Sequence, residues 1–179
     1  LSFFVAGMAA GTLIVVPLSD SFGRKPIIYY GASLYIFTSA VCVLSPSLEV
    51  ILISRFLQGV GASAPRVVAQ ALVRDFYKGR EMARISSFIM IIFALVPAIA
   101  PLLGSFVMLA FNWRFIFLMF IAFVAASTMW MAFRIDESVT KEKRIEFNLK
   151  QVGLAFKEVL SSQMILTSII TLVLSLIHI

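Results

Sequence analysis

Residues 52–75 read LISRFLQGVGASAPRVVAQALVRD. This stretch is long enough to cross a bilayer as a helix, which takes about 20 residues, yet it contains Arg55 and Arg66. An arginine at membrane depth costs roughly 3 kcal/mol or more. On a helix Arg66 falls about 20° from Arg55, so that Arg55, Gln58, Ala62 and Arg66 form one polar stripe. We expect this stripe to face a water-filled cavity or a partner; the alternative is that the two arginines extend to opposite membrane surfaces.

Composition places the chain in a membrane rather than in water. The 179 residues are 61% hydrophobic and 13% charged, whereas a soluble domain is roughly 45–50% apolar and about 25% charged. A soluble domain of this size still exposes about 30% of the surface area of its unfolded chain. That area is too large for so many apolar side chains to be kept out of water. Because open strands leave backbone groups unpaired in lipid, the sequence predicts an all-α, polytopic helical membrane protein. Its apolar runs cover residues 2–18, 27–44, 50–73, 85–111 and 115–133, and another begins near residue 164.

Basic residues alternate between the connectors of these runs. The formal net charge is +6, and the successive connectors carry 2, 0, 4, 1 and 6 lysines and arginines. Connectors rich in basic residues stay in the cytoplasm, so the first, third and fifth connectors are expected there. The positive charge is therefore interpreted as a membrane feature, with the lipid bilayer and not nucleic acid as the partner.

The sequence offers little for metal or enzyme chemistry. Cys42 and His178 are the only residues of their types, so no intrachain disulfide can form and no metal-ligand spacing exists. We expect no metal and no cofactor, and Cys42 is interpreted as a small buried hydrophobe. An integral membrane enzyme would need a cluster of His, Ser or Asp at membrane depth, and no such cluster is present.

Three segments are expected along the chain. Residues 1–134 should form a transmembrane bundle, residues 135–163 a charged cytoplasmic linker with an amphipathic helix, and residues 164–179 the start of a further span. The alternative for the linker is a long loop. Both ends of the chain lie inside apolar runs, which favours a fragment that lacks a preceding span and a second half.

The first connector, PLSDSFGRKP at residues 17–26, combines charges with turn residues. Pro17, Gly23 and Pro26 are expected to form a tight turn. Asp20 and Arg24 are spaced so that both can face one side of a helical turn. This spacing predicts an acid–base latch between helices; the alternative is an ordinary basic loop.

Two further patterns concern helix shape. Glycines in the first and third runs should allow helices to approach closely; they are Gly7, Gly11, Gly59 and Gly61. The fourth run contains FALVPAIAPLLGSF, residues 93–106, in which Pro97 and Pro101 are expected to bend the helix ahead of Gly104.

Taken in order, these strings resemble the signatures of the major facilitator superfamily. The first connector matches the signature between spans two and three at Leu18, Asp20, Gly23, Arg24 and Lys25. Val16 and Ser21 depart from it, because the family usually has Gly at the first position and often Arg at the second. The third run matches the span-four signature at Arg55, Gln58, Gly59, Gly61 and Ala62. The fourth run resembles the antiporter signature of span five, in the form typical of the Bcr/CflA drug-resistance branch, with matches at Pro101 and Gly104.

The resemblance implies a fold and a set of site residues. The fold is the N-terminal six-helix bundle of a major facilitator protein without its first span. The implied gate comprises Asp20, Gly23, Arg24, Lys25, Arg74 and Asp75. The implied central cavity includes Arg55, Gln58, Arg66 and Met90, and the implied antiporter kink comprises Pro97, Pro101 and Gly104.

The resemblance also implies an activity: export of drugs or other small amphipathic molecules across the bacterial inner membrane. Two bundles would rock about a central site, driven by the proton gradient through antiport and without a cofactor. None of the acids lies deep in a span, so the proton-carrying carboxylate is expected outside this sequence. The alternatives are an exporter of sugars or small metabolites, and a fragment that is inactive without its C-terminal half.

Overall fold

The computed structural model describes residues 2–135 and residue 137. The described part consists of helices and connections without a strand, and it belongs to one compact unit, Leu1–Ile145. The helices are α1 (Ser2–Phe22), α2 (Arg24–Leu44), α3 (Leu48–Phe76), α4 (Gly79–Ala110) and α5 (Arg114–Arg134). The all-α expectation is confirmed. The predicted amphipathic linker helix and the span from residue 164 lie outside the described residues.

The connection between α1 and α2 is much shorter than the sequence suggested. Helix α1 continues through Phe22 and α2 begins at Arg24, so that only Gly23 lies outside a helix. Gly23 has φ 101°, a conformation that favours glycine. The prediction that Pro17 and Pro26 are turn residues was wrong. Pro17 lies inside α1, and Pro26 lies in the first turn of α2, where a missing N–H breaks no helical hydrogen bond.

Four of the described helices, α1, α2, α4 and α5, are long and apolar enough to cross a membrane. Helix α3 has 29 residues, which is ample length for a span, but it does not belong to this group. Its sequence includes Arg55, Arg66 and several small polar residues. That α3 crosses the membrane therefore remains a prediction.

Helix α3 packs against both α1 and α2 through small residues. A Cβ atom on Gly61 would lie 2.7 Å from the backbone carbonyl oxygen of Gly31 in α2, and one on Gly11 would lie 2.8 Å from the Cα of Val60. Added Cβ atoms would also overlap backbone at two further contacts between α1 and α3, at Gly7 and Gly59. The predicted close packing at these glycines is confirmed.

An apolar cluster closes the space between the three helices. It consists of Val15, Ile27, Ile28, Ala64 and Val68. The charged residues at the ends of α1, α2 and α3 lie next to this packed apolar cluster.

Helices α4 and α5 are attached differently. Helix α5 packs against α2 and buries Phe117. In contrast, none of the 32 residues of α4 is buried.

Candidate functional site

Arg55 lies in α3, half-buried, between two partners. Its Nη1 donates a hydrogen bond to Oε1 of Gln58 at 3.0 Å. Its guanidinium carbon lies 4.8 Å from the ring centroid of Phe117 in α5. A cation over an aromatic face is stabilised by the ring's negative face, more strongly where water is excluded. The charge is therefore held on the side of α3 that faces α5.

Gln58 continues the contact into α2. Its side chain is fully buried, and its Nε2 donates to Ser39 Oγ at 2.6 Å. Ser39 Oγ in turn donates to the backbone oxygen of Tyr35 at 2.7 Å. We call Arg55, Gln58 and Ser39 the polar chain. Each buried group in it is hydrogen-bonded, which avoids the cost of an unsatisfied polar atom in a low-dielectric interior.

The predicted polar stripe is divided in the structure. Gln58 lies about 60° from Arg55 around the helix and turns into the contact with α2. Its place in a central cavity stays a prediction. Arg66 is exposed, and its Nη1 lies 3.4 Å from Met8 Sδ. Arg66 borders an open groove of about 470 Å³ between α1 and α3, whose walls are Val5, Met8, Ala9, Thr12, Arg66, Val67 and Gln70.

Met90 does not join these residues. It lies on α4 and is 61% exposed. Within residues 2–135, the hydrogen bonds and ring contact of Arg55 and Gln58 go to α2, α3 and α5. The three residues of the expected kink, Pro97, Pro101 and Gly104, also lie on α4, and a Cβ atom on Gly104 would meet no atom within 4 Å.

A second cluster joins the ends of α1, α2 and α3. Arg24 Nη1 donates to Asp20 Oδ1 at 2.6 Å and to Ser19 Oγ at 2.7 Å, and Arg24 Nε donates to Asp75 Oδ2 at 3.2 Å. The Arg24 side chain is 12% exposed. We call Asp20, Arg24 and Asp75 the Arg24 latch, since one guanidinium bridges three helices. Arg74 is exposed and, within the described part of the chain, takes no part in it.

Sequence reasoning missed Glu137, which lies just beyond α5. Its Oε1 accepts a hydrogen bond from the Arg24 N–H at 2.8 Å, and its Oε2 accepts one from the Lys25 N–H at 3.0 Å. Lys25 Nζ donates to the backbone oxygen of Ala132 at 3.2 Å. The carboxylate thus satisfies amides that have no partner within α2. The signal in the sequence was weak, because Glu137 is 113 positions from Arg24.

Long apolar helices, a charged group half-buried between them and ion pairs at the helix ends are the features of a helical integral membrane protein. The sequence profile of the Major Facilitator Superfamily matches residues 1–178. The chain belongs to this family, which is a family of transporters and not of enzymes.

Individual relatives agree with the family. An uncharacterized MFS-type transporter, YdgK of Bacillus subtilis (strain 168), is 38% identical over 149 residues, which cover 81% of this chain and 37% of YdgK. The multidrug resistance protein MdtL of Escherichia coli O157:H7 is 41% identical over 116 residues, covering 65% of this chain and 30% of MdtL. MdtL of Escherichia coli strain K12/DH10B is 40% identical over the same length. The chain thus spans roughly a third of the length of these relatives.

Proposed function

We propose that the chain is the portion from the second to the seventh span of a Bcr/CflA-type exporter, which moves drugs or other small amphipathic molecules out of the cell by proton antiport. The observation that carries the proposal is Arg55, a half-buried guanidinium within the long helix α3. The relatives named as multidrug resistance proteins support the substrate class.

The bonding of Arg55 leaves capacity for a ligand. Within the described residues, its hydrogen bonding uses one Nη1 donor, to Gln58, and its face lies over Phe117. A guanidinium has several further N–H donors, and leaving them unsatisfied at membrane depth is costly. Water, an anionic substrate group or a carboxylate from another span would satisfy them, so Arg55 should border a hydrated path.

Alternating access then requires a part that holds one state. In this proposal the Arg24 latch lies on the cytoplasmic side and keeps the ends of α1, α2 and α3 together. When the two bundles rock about a central site, Arg24 exchanges its bonds to Asp20 and Asp75 for bonds to water. The proton gradient supplies the energy in place of a cofactor, and the proton-carrying carboxylate lies in another part of the protein.

Pro97, Pro101 and Gly104 complete the proposal. We assign them to a bend in α4 that shapes the interface with the second bundle and limits proton leak. Their place on a helix without buried residues leaves this surface free to contact another helix.

A transport assay tests the proposal. The complete reading frame is reconstituted in proteoliposomes with an imposed pH gradient, and uptake of cationic amphipathic drugs is compared with uptake of sugars and small metabolites. We expect drug transport that collapses with the gradient and is lost in Arg55→Gln. The matched control is Arg134→Gln, since Arg134 is an exposed arginine in the last turn of α5. Gradient-driven transport of a metabolite but of no drug would contradict the drug-export proposal.

Sugars or small metabolites are alternative substrates, because YdgK, which is matched over 81% of this chain, has no drug in its name. The same assay separates the two classes. The 179-residue chain expressed alone is expected to transport nothing, because the site would lie between two bundles.

Labelling from water tests the hydrated path directly. We expect Ala62→Cys to react with a water-soluble maleimide, since Ala62 lies on the same side of α3 as Arg55 and is partly exposed. Gln58→Cys should be protected, because Gln58 is fully buried against α2. Protection at both positions would remove the path and the transport mechanism with it.

A further inference from the structure

Helix α2 is contacted at both of its ends by charged residues that flank α5. At its beginning, the Glu137 carboxylate accepts hydrogen bonds from the N–H groups of Arg24 and Lys25 at 2.8 and 3.0 Å. At its other end, Arg114 Nε donates to the backbone oxygen of Val43 at 3.0 Å. Arg114 is the first residue of α5, and Glu137 follows the last residue, Arg134, closely.

Both charges complement the dipole of α2. A helix begins with unpaired N–H groups and partial positive charge, and it ends with unpaired carbonyl groups and partial negative charge. Helix α2 has no acid in its first turn, no basic residue in its last turn and no side-chain cap at its beginning. Its first residues, Arg24 and Lys25, are instead basic and oppose the dipole. The missing complement at each end is supplied by Glu137 and Arg114.

Arg114 also gains little from its own helix. A cation in the first turn of α5 opposes the α5 dipole, although its guanidinium carbon lies 4.6 Å from the ring centroid of Trp113. The hydrogen bond from Arg114 to the Val43 carbonyl, at the end of α2, explains its position.

We propose that Arg114 and Glu137 form a clasp by which α5 fixes α2 at both ends, and that Glu137 is a positioning residue for the Arg24 latch. Glu137 holds the backbone of Arg24, while the Arg24 side chain reaches Asp20 and Asp75. If the hydrogen bond from the Arg24 backbone to Glu137 is lost, the backbone from which the Arg24 side chain extends is held less firmly. The positioning role of Glu137 rests on the latch in the proposed function, whereas the clasp does not.

Spin-label distances test the clasp without any transport. In the complete protein with its native cysteines, Cys42 included, replaced by Ala, labels are placed at Tyr30 in α2 and Phe123 in α5, each 73% exposed. Loss of one capping charge is expected to raise the fraction of molecules with a separated α2–α5 pair roughly two- to fivefold. This result is expected in Glu137→Gln and in Arg114→Gln.

Two matched controls remove the same charges elsewhere. Glu81→Gln neutralises an exposed acid in the first turn of α4, and Arg134→Gln neutralises an exposed arginine at the far end of α5. Both should leave the distance distribution unchanged. If Glu137→Gln and Arg114→Gln also leave it unchanged, or if the controls broaden it equally, the clasp does not exist.

The positioning role is tested by comparing size with charge. Glu137→Gln keeps the size and loses the charge, whereas Glu137→Asp keeps the charge and shortens the side chain. In proteins that also carry Ala62→Cys, we expect Glu137→Asp to change the labelling rate of the new cysteine less than Glu137→Gln does. We also expect the effect of Glu137→Gln to shrink roughly two- to fivefold when Asp75→Asn is already present, since interacting groups are non-additive. The positioning role would be overturned if the effects of Glu137→Gln and Asp75→Asn on the labelling rate were additive, or if Glu137→Gln changed that rate less than Glu137→Asp. Either result would leave the clasp intact where the distance measurement supports it.

Discussion

The two longest helices of the described chain, α3 and α4, differ in how they meet their surroundings. Helix α3 has 29 residues, of which eight are buried, although it contains three arginines and an internal proline. Helix α4 has 32 residues, is apolar enough to cross a membrane and buries none of them. Within the described residues, the more apolar helix is thus the one with less protein contact.

The contacts of α3 fit the way helices associate in lipid. Lipid tails are as apolar as leucine, so an apolar surface gains little by leaving lipid for protein. Helices associate in lipid where small residues let backbones approach and where polar groups pair. The buried residues of α3 fit this rule: Ser54, Gln58, Gly59, Gly61, Ser63, Ala64, Val68 and Ala71. On α4 a Cβ atom added to Gly79 or Gly104 would meet nothing within 4 Å.

The largest expected effect is a methyl group placed in the α3 contact. In Gly61→Ala the new Cβ would lie 2.7 Å from the Gly31 oxygen and 2.9 Å from the Tyr35 nitrogen, both backbone atoms that can move only with α2. We expect a loss of about 3 kcal/mol in the free energy of unfolding, the upper range for overpacking. Thermal and denaturant unfolding in detergent would measure it.

Gly104→Ala is the matched change on α4. Because nothing lies near the added methyl, we expect no loss and a gain of up to ~1 kcal/mol from helix propensity. Equal losses in the two variants would mean that α4 is packed as tightly as α3.

A smaller effect is expected from cutting the polar chain. Gln58→Leu removes the acceptor of Arg55 Nη1 and the donor to Ser39 Oγ in a fully buried position. We expect a loss of about 1–2 kcal/mol, since a buried partner is left with one bond fewer. The control is Gln70→Leu, at an exposed position on the same helix, which should change stability by less than ~0.5 kcal/mol. A neutral Gln58→Leu would show that burial of the glutamine amide gives no net stability.

A third prediction concerns the Arg24 latch, at the end of α3. The Asp75 side chain is 29% exposed, and partly exposed ion pairs contribute little, up to about 1 kcal/mol. Asp75→Asn and Arg24→Gln combined in a double-mutant cycle should therefore give a coupling free energy below ~1 kcal/mol that declines as salt is added. Glu81→Gln in place of Asp75→Asn should show no coupling to Arg24. A coupling that is large and insensitive to salt would mean that water does not reach the latch.

Much of the α1–α3 region could be predicted from the sequence, because its signals are local. The glycine spacing indicated close packing, and Asp20 and Arg24 indicated an ion pair through their separation by one helical turn. The turn at Gly23 was predicted too long, since polar residues suggested a loop where the backbone continues as helix. The apolar runs predicted which residues lie in the membrane, but a helix can continue beyond its apolar run, as α1 does.

The remaining site residues depended on contacts distant in the sequence. Glu137 caps a helix that begins 113 residues earlier, and no local pattern pairs them. Gln58 was assigned to the side of Arg55, yet a shift of about 60° around α3 turns it towards Ser39 instead. Met90 is exposed on α4, and its place in a cavity stays a prediction.

The smallest effect on stability is expected from the prolines, and it tests whether α4 is independent of the α1–α3 contacts. Pro101→Ala restores an N–H that can bond to the Pro97 carbonyl within α4. We expect slower hydrogen exchange in α4 and a change below ~0.5 kcal/mol in the unfolding of α1–α3, because no side chain of α4 is buried. Pro65→Ala restores the equivalent bond in α3, to the carbonyl of Gly61, the residue that meets Gly31 in α2. Its effect should therefore spread to exchange in α2. If Pro101→Ala also altered exchange in α1 and α2, α4 would be coupled to them despite its exposure, and the contrast between the two long helices would fail.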